Sequence, residues 1–510
     1  MKNLIVSLLI TLVISLVLIT CTSNQREPSK SPNIIFILAD DLGYGEVGAY
    51  GQEKIQTPAI DALAESGMRF TQFYAGSPVC APSRCALLTG RHPGHMIIRG
   101  NDEWAERGDV WDYVKASKDP HLEGQRPLPA SAVTIAEVLQ KAGYTTACVG
   151  KWGLGAPYSE GTPNKQGFDF FFGYNCQRQA HNYYPSHLWK NDEIVPLDNQ
   201  IVAPGTKLAE GADPLDIRSY ARFTQKEYAP DLMIDEALQF MERNKDKPFF
   251  LYYATTIPHV ALQAPEEYVK RYVKLFGDEK PYLGEKGYFP NRYPHATYAA
   301  MITYLDHQVK QMIDKLKELN IDKNTIVFFT SDNGPAYKGG ADPEFFDSAK
   351  PFKSTHGWGK GYVHEGGIRV PMIVSWPDKI AKGSQSDFIG AFWDIFPTLS
   401  EISGAAIPDS IDGISFLPTL TGEGQQTERD YLYWEYPFFS GQQAVRMQQW
   451  KAIRDSIFFG NNDIKLYNLD KDIRETHNVA ARNPQIVSEI KQIMRESHRP
   501  SSRFPLFENE

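Results

Sequence analysis

Residues able to do chemistry recur where apolar runs stop. NIIFILA ends at Asp40-Asp41, TTACVG at Lys151, FFLYYATTIP at His259 and IVFFTS at Asp332-Asn333. Three carboxylates and an amide offer only oxygen, a donor set that suits a hard divalent cation such as Ca2+ or Mg2+ better than zinc. Each pair alone is also an ordinary turn sequence; two pairs at the ends of separate runs favour the metal. A second group lies in SPVCAPSRCALLTGR, residues 77–91. Pro82 suits the first or second position of a helix carrying Leu87 and Leu88, so Cys80 stands where backbone N–H groups and the helix dipole favour an anion. Arg84, one turn on, can bind an oxyanion or orient whatever sits at Cys80. From its surroundings alone Cys80 is open to four readings: a buried small hydrophobe, a metal ligand, a thiolate nucleophile or a site of modification.

To bring these residues together the apolar runs must be strands of one sheet. Helices are predicted between them. Thr57 caps one, with Pro58 first and Gly67 past its end. Thr134 and Glu137 form a capping box for the next, closed by Gly143. Residues 295–318 form a third, with Ile302, Leu305, Val309, Met312 and Leu316 on one face. Alternating strands and helices predict an α/β fold, a large mixed but mostly parallel sheet sandwiched by helices. In such sheets ligands bind at the carboxyl ends of the strands, which is where Asp40, Asp41, Lys151, His259, Asp332 and Asn333 stand. From about residue 423 the runs shorten and alternate, as in RDYLYWEYP and IKLYNLDKD, and NPQIVSEIKQIMRES follows. They predict a small C-terminal antiparallel sheet plus a helix. Residues 155–226 show no period and read as a functional surface loop.

A chain of 510 residues has room for a large domain and a smaller one. Its net charge of -9 excludes a scaffold that holds nucleic acid by bulk charge, although a local cluster of Arg, Lys and His can still take a small anion. MKNLIVSLLITLVISLVLITC reads as an export signal, and its last four residues resemble a lipobox ending at Cys21. The expected division is a lipoprotein-type signal peptide at 1–20, a tether at 21–32, a catalytic domain at 33–422 and an α+β subdomain at 423–510. The expected location is the periplasm, with a lipid on Cys21 as the sole membrane anchor, at the outer membrane. Cys80, Cys85, Cys148 and Cys176 are too few for a disulfide scaffold, and no disulfide is expected.

PVCAPSR followed by LLTG resembles the signature of the formylglycine-dependent sulfatases, which have an alkaline-phosphatase-like fold. Gly143-Tyr144 through Gly150-Lys151-Trp152 resembles their second signature, and the similarity runs from about Asn33 to the closing helix. The resemblance implies that a maturation enzyme reads Cys-X-Pro-X-Arg and oxidises Cys80 to Cα-formylglycine, whose hydrate attacks the sulfur of a sulfate ester. It implies Ca2+ bound by Asp40, Asp41, Asp332, Asn333 and the modified Cys80. It places Arg84, Lys151, His259 and Lys360 around the sulfate, with Lys360 and His259 serving the leaving oxygen. One position departs: where the family has Lys-X-His, this chain has Gly153. His181 is the candidate to replace that imidazole or to bind substrate. KWGLG and GYNCQRQAHNYYP resemble segments of bacterial polysaccharide sulfatases, which implies a sulfated saccharide, with galactose or N-acetylgalactosamine 4-sulfate favoured. Arg99, Asp102, Arg178, His181 and His364 are the candidate sugar contacts. The alternatives are a phosphatase or phosphodiesterase of the same superfold and a non-catalytic glycan-binding lipoprotein with Cys80 unmodified.

Overall fold

Strand residues buried on both faces must send alternate side chains to two separate cores, and the central strands do this. In Asn33–Ala39, Ile34, Phe36 and Leu38 enter one apolar cluster while Ile35, Ile37 and Ala39 enter the other. The structure, a computed structural model, describes residues 31–508 and 510; the export signal, Cys21 and the tether as far as residue 30 lie outside them. Pro32–Glu510 packs as one compact unit. Among the described residues no helix is long and apolar enough to cross a membrane.

The main sheet has ten strands among the described residues. Its centre is parallel, in the order Thr325–Ser331, Asn33–Ala39, Phe249–Ala254, Thr145–Lys151 and Phe170–Tyr174. Met372–Ser375 and Met68–Phe70 extend one side antiparallel, with Ser384–Ser386 at the edge, and His187–Lys190 and Glu193–Pro196 extend the other. The α/β sandwich expected from the sequence is therefore present. One expectation is corrected: residues 155–226 are not one loop, because the aromatic segment Phe170–Tyr174 is buried and lengthens the sheet. Helices Cys80–Thr89, Ile135–Lys141 and Ile395–Ser403 contribute to one core, and Pro58–Ser66, Ala229–Asn244 and Pro294–Glu318 to the other.

The small sheet runs Leu432–Tyr436, Gln442–Met447, Trp450–Arg454 and Lys465–Asn468, each antiparallel to the last. Ile490, Ile493 and Met494 of helix Pro484–Ser497 pack on one of its faces. Trp434, Ala444, Ile453 and Tyr467 on the other join the main core. Lys451 ties the two sheets' surroundings together, reaching Glu365 Oε1 at 2.8 Å with both side chains wholly buried.

Candidate active site

Register sets the site. Ala39 pairs with Ser331, so Asp40 and Asp332 leave adjacent strands at the same level, and the Asp332 N–H donates to the Ala39 carbonyl at 3.0 Å. Lys151 ends the next strand but one, and His259 follows the strand between. Asp41 takes a left-handed conformation, φ 67°, and its N–H donates to Asp332 Oδ1 at 3.1 Å. Asn333 Nδ2 donates to Asp41 Oδ1 at 2.8 Å. The four oxygen-bearing residues singled out in the sequence thus form one linked group.

Cys80 is itself the first residue of its helix, with extended Val79 as N-cap. Pro82 therefore holds the third position rather than the first or second. It is tolerated there because first-turn N–H groups have no partner within the helix. Arg84, wholly buried, sends Nε and Nη2 to Asp332 Oδ2 at 3.1 and 2.8 Å, and Nη2 lies 3.5 Å from Asp40. Lys151 Nζ donates to Asp40 Oδ2 at 2.6 Å. Lys360 arrives on a loop whose Gly361 N–H donates to the Pro78 carbonyl at 2.8 Å. Its Nζ lies 2.6 Å from Asp41 Oδ1 and 3.5 Å from Cys80 Sγ.

Three carboxylates face three cations, each in close contact, and that balance is what allows so many charges to be buried together. Burial works against the Asp40 charge, yet Lys151, Arg84 and Lys360 together hold its carboxyl far below the usual range. Asp332 goes the other way: burial and the neighbouring Asp40 push it up to about 6. Burial raises the Cys80 thiol to about 11, so an unmodified Cys80 keeps its proton at neutral pH and is a poor nucleophile. His259 and His181 are both held neutral by burial and nearby positive charge.

Two buried acceptors in this group receive no hydrogen bond, Asp40 Oδ1 and Asn333 Oδ1. Unpaired buried oxygens are costly, and here they sit where hard-cation ligands are required. Ligand atoms of Asp40, Asp41, Cys80 and His259 also lie within 4.8 Å of one another. Asp332 and Asn333 attach to that group through Asp41. The residues present fit a divalent cation with oxygen donors.

Beside the group, His181 stacks on His259, ring centroids 4.9 Å apart and planes 4° from parallel, with Tyr288 edge-on to both. The other candidate sugar contacts have partners within the chain. Arg99 pairs with buried Glu435 at 2.5 Å and caps the Gly94 and Met96 carbonyls. Asp102 bonds Arg126. Arg178 donates to the Trp111 carbonyl and lies 5.0 Å over its ring. His364 stacks on Trp358 and lies 3.2 Å from Glu475. Loop position alone could not reveal these partners, one of them 336 residues away.

The structure also shows what stands at the departing Gly153. Its φ is +77°, and a Cβ there would lie 2.9 Å from Gln177 Cγ. Buried Gln177 fills that space; its Nε2 donates to Asn101 Oδ1 at 3.0 Å, and Asn101 Oδ1 also accepts the Ala81 N–H at 3.1 Å. Sequence reasoning missed Gln177, Asn101 and Tyr288, which belong to no periodic pattern. It missed Phe439 as well: 64% exposed, φ 57°, its ring lies against Gly361, one residue past Lys360. Only the positive φ demanded of a glycine beside Lys151 could have pointed to Gln177. Cys80, Cys85, Cys148 and Cys176 are all free and buried.

A family model described as Sulfatase matches residues 32–405, and one described as N-sulphoglucosamine sulphohydrolase, C-terminal, matches 354–500. The N-acetylgalactosamine-6-sulfatase of Canis lupus familiaris is 33% identical over 429 residues, 83% of this chain and 72% of the relative. Human (Homo sapiens) arylsulfatase A is 31% identical over 504 residues, 91% and 87% of the two chains. Among solved structures, Ps i-CgsB in complex with k-i-k-neocarrahexaose aligns with a TM-score of 0.72 at 28% identity, covering 92% of this chain and 93% of that one.

Proposed function

Because the chain belongs to the sulfatase family and is a sulfuric ester hydrolase, we propose that it removes sulfate from a sulfated saccharide with residue 80 as nucleophile. The observation that carries this reading is the buried set of Arg84, Lys151 and Lys360 closing on Cys80 beside three carboxylates, with Asp40 Oδ1 and Asn333 Oδ1 left unpaired. When in place, Ca2+ held by Asp40, Asp41, Asp332, Asn333 and residue 80 would supply positive charge to the sulfate oxygens, and Cα-formylglycine made from Cys80 by a maturation enzyme would supply, as its hydrate, the attacking hydroxyl.

The chain's own residues do the rest. Arg84, one turn into the helix, is held as a fixed fork by Asp332, so its charge is aimed before substrate arrives. Lys151 and Lys360 anchor sulfate oxygens from two sides. Lys360 Nζ, nearest Cys80 Sγ, is placed to give a proton to the departing alcohol oxygen. His259 Nδ1 bonds the Val260 carbonyl, which fixes the proton on that nitrogen and leaves neutral Nε2 as an acceptor. His181, stacked behind it, holds the ring in plane and lines the entrance. Burial of the whole group excludes bulk water.

Phe439 and Tyr288 at the mouth offer ring faces to a sugar. A galactose or N-acetylgalactosamine sulfate is the favoured substrate. Position 4 is the sequence expectation, whereas the canine relative's name carries position 6, so both isomers belong in the test. The leader supports export and lipid attachment through Cys21, with residues 33–422 as the catalytic domain and 423–510 as its C-terminal subdomain. The test is inorganic sulfate release from 4- and 6-sulfated galactose and N-acetylgalactosamine, alone and in oligosaccharides, by protein produced with a formylglycine-generating enzyme. Release that is lost in Cys80→Ala supports the reading. Faster phosphate release from matched phosphate esters would favour the phosphatase alternative.

A further inference from the structure

Outside the Cys80 site, strand Trp450–Arg454 and helix Pro484–Ser497 border a pocket of about 340 Å³ with no acidic residue in its lining. Arg454, Lys491 and Arg495 converge on it, with Gln443, Asn462 and Phe507 between them. Among the described residues none of these three cations meets a carboxylate. Arg454 spends its donors on the Asn461 carbonyl and on the amide oxygens of Gln443 and Asn462. His498, on the rim, is different: Glu435 at 2.7 Å and Glu510 at 2.6 Å clasp it from both sides.

Lys491 and Arg495 stand four residues apart on one helix face, a spacing at which like charges repel. A third cation facing them from the sheet adds to the repulsion. The chain as a whole carries -9, so this is no background excess of positive charge. Unpaired cations crowded into a concave site are the electrostatic mark of a bound anion. The remaining surfaces say which kind. Arg454 lies 5.3 Å over the Phe507 ring, Ile464 and Met494 form an apolar wall, and the exposed amide of Asn462 can serve a hydroxyl group. Cations for a sulfate, an amide for a hydroxyl and an apolar wall for a ring face are the parts of a sulfated-sugar site. The volume suits a single sugar residue, at the low end for small-molecule pockets.

We propose that this pocket is a second saccharide site, binding a sulfated sugar residue of a polymer other than the one whose ester is being cleaved. Engagement at two places makes the second contact intramolecular and raises affinity for polymer over monosaccharide. The inference rests on the sulfated-saccharide reading above, and its test separates the two.

The probe is Cys80→Ala full-length protein with chondroitin 4-sulfate, chondroitin 6-sulfate and carrageenan, with binding read by calorimetry. Lys491→Gln/Arg495→Gln in that background is expected to weaken binding of the preferred polymer about tenfold per charge removed. The same pair of changes in the Cys80 protein should leave turnover of a monosaccharide sulfate unchanged and raise KM for the polymer. Unchanged polymer affinity in the variant, or no binding of any of the three polymers, overturns the pocket. Displacement of polymer by equimolar inorganic sulfate or phosphate also overturns it, since the pocket is then a simple anion site. Failure of the substrate reading shows separately, as no sulfate release from any saccharide by the Cys80 protein.

Discussion

Asn333→Asp turns the unpaired oxygens of the site into a measurement. In the metal-free protein three carboxylates are matched by three cations, and Asn333 Nδ2 donates to Asp41 Oδ1 at 2.8 Å. The change adds a fourth buried carboxylate with no partner and removes that donor. An uncompensated buried charge costs about 3–5 kcal/mol. Unfolding entropy of about 2.1 cal/mol/K per residue, over the unit from Pro32 to Glu510, makes each kcal/mol worth about 1 °C. Without Ca2+ the variant should therefore melt about 3–5 °C below the unmutated protein. Ca2+ at a hundredfold over its Kd adds about 2.7 kcal/mol, or about 3 °C, to the unmutated protein. In Asn333→Asp the increment should exceed that by most of the loss, because the ion meets the charge that was stranded. Scanning fluorimetry at one scan rate, in EDTA and in Ca2+, reads both numbers. Equal Ca2+ increments in the two proteins would refute the assignment of Asn333 to the ion, and an undisturbed midpoint in EDTA would refute the charge count.

Lys360→Met should lower kcat by about 10²–10³ while the protein still binds Ca2+, measured as sulfate release under saturating substrate. Lys451→Met takes from buried Glu365 one charged hydrogen-bond partner, leaving Arg369 at 3.0 Å, and should cost about 1.5–3 kcal/mol at pH 7. Burial alone would raise the Glu365 carboxyl, but Lys451, Arg369 and Arg446 outweigh it and hold it at about 2, against 4.5 when unperturbed. The folded state therefore binds this proton less readily than the unfolded one. The stabilisation is whole above about pH 4.5 and is lost as pH falls towards about 2, so the gap between the two proteins should close over that range. Gly153→Ala should destabilise by about 1–2 kcal/mol for its left-handed backbone, with a further loss from the Gln177 contact that Gln177→Ala relieves; identical effects in both backgrounds would show that Gln177 does not fill that space.

Much of the site was legible because it follows from strand ends. Asp40, Lys151, His259 and Asp332 each close or follow an apolar run, and the register that pairs Ala39 with Ser331 does what a parallel sheet must. Cys80 and Arg84 were marked by their spacing around Pro82. Lys360 was different: it lies on a loop, and only the family resemblance singled it out. Of the proposed sugar contacts, the structure places His181 beside the Cys80 group, while Arg99, Asp102, Arg178 and His364 have partners within the chain that the sequence does not show. Arg99 and Glu435 are 336 residues apart in sequence, and nothing near Arg99 announces a buried carboxylate waiting for it. Phe170–Tyr174 was hidden by the Gly, Asn and Tyr around it, which outweighed an aromatic run short enough to be a strand. Gln177 follows from a missing Cβ at Gly153, a contact no local pattern carries.

The central claim is that residue 80 does not act as a thiol. The most direct measurement is the mass of the peptide that carries it, in protein made together with a formylglycine-generating enzyme and active in sulfate release. The account predicts that the peptide has lost its sulfur together with a pair of hydrogens and gained a single oxygen, the exchange of a thiol-bearing methylene for an aldehyde. It also predicts that sulfate release rises with the fraction converted. Full activity in a preparation whose peptide carries only the intact thiol would contradict it.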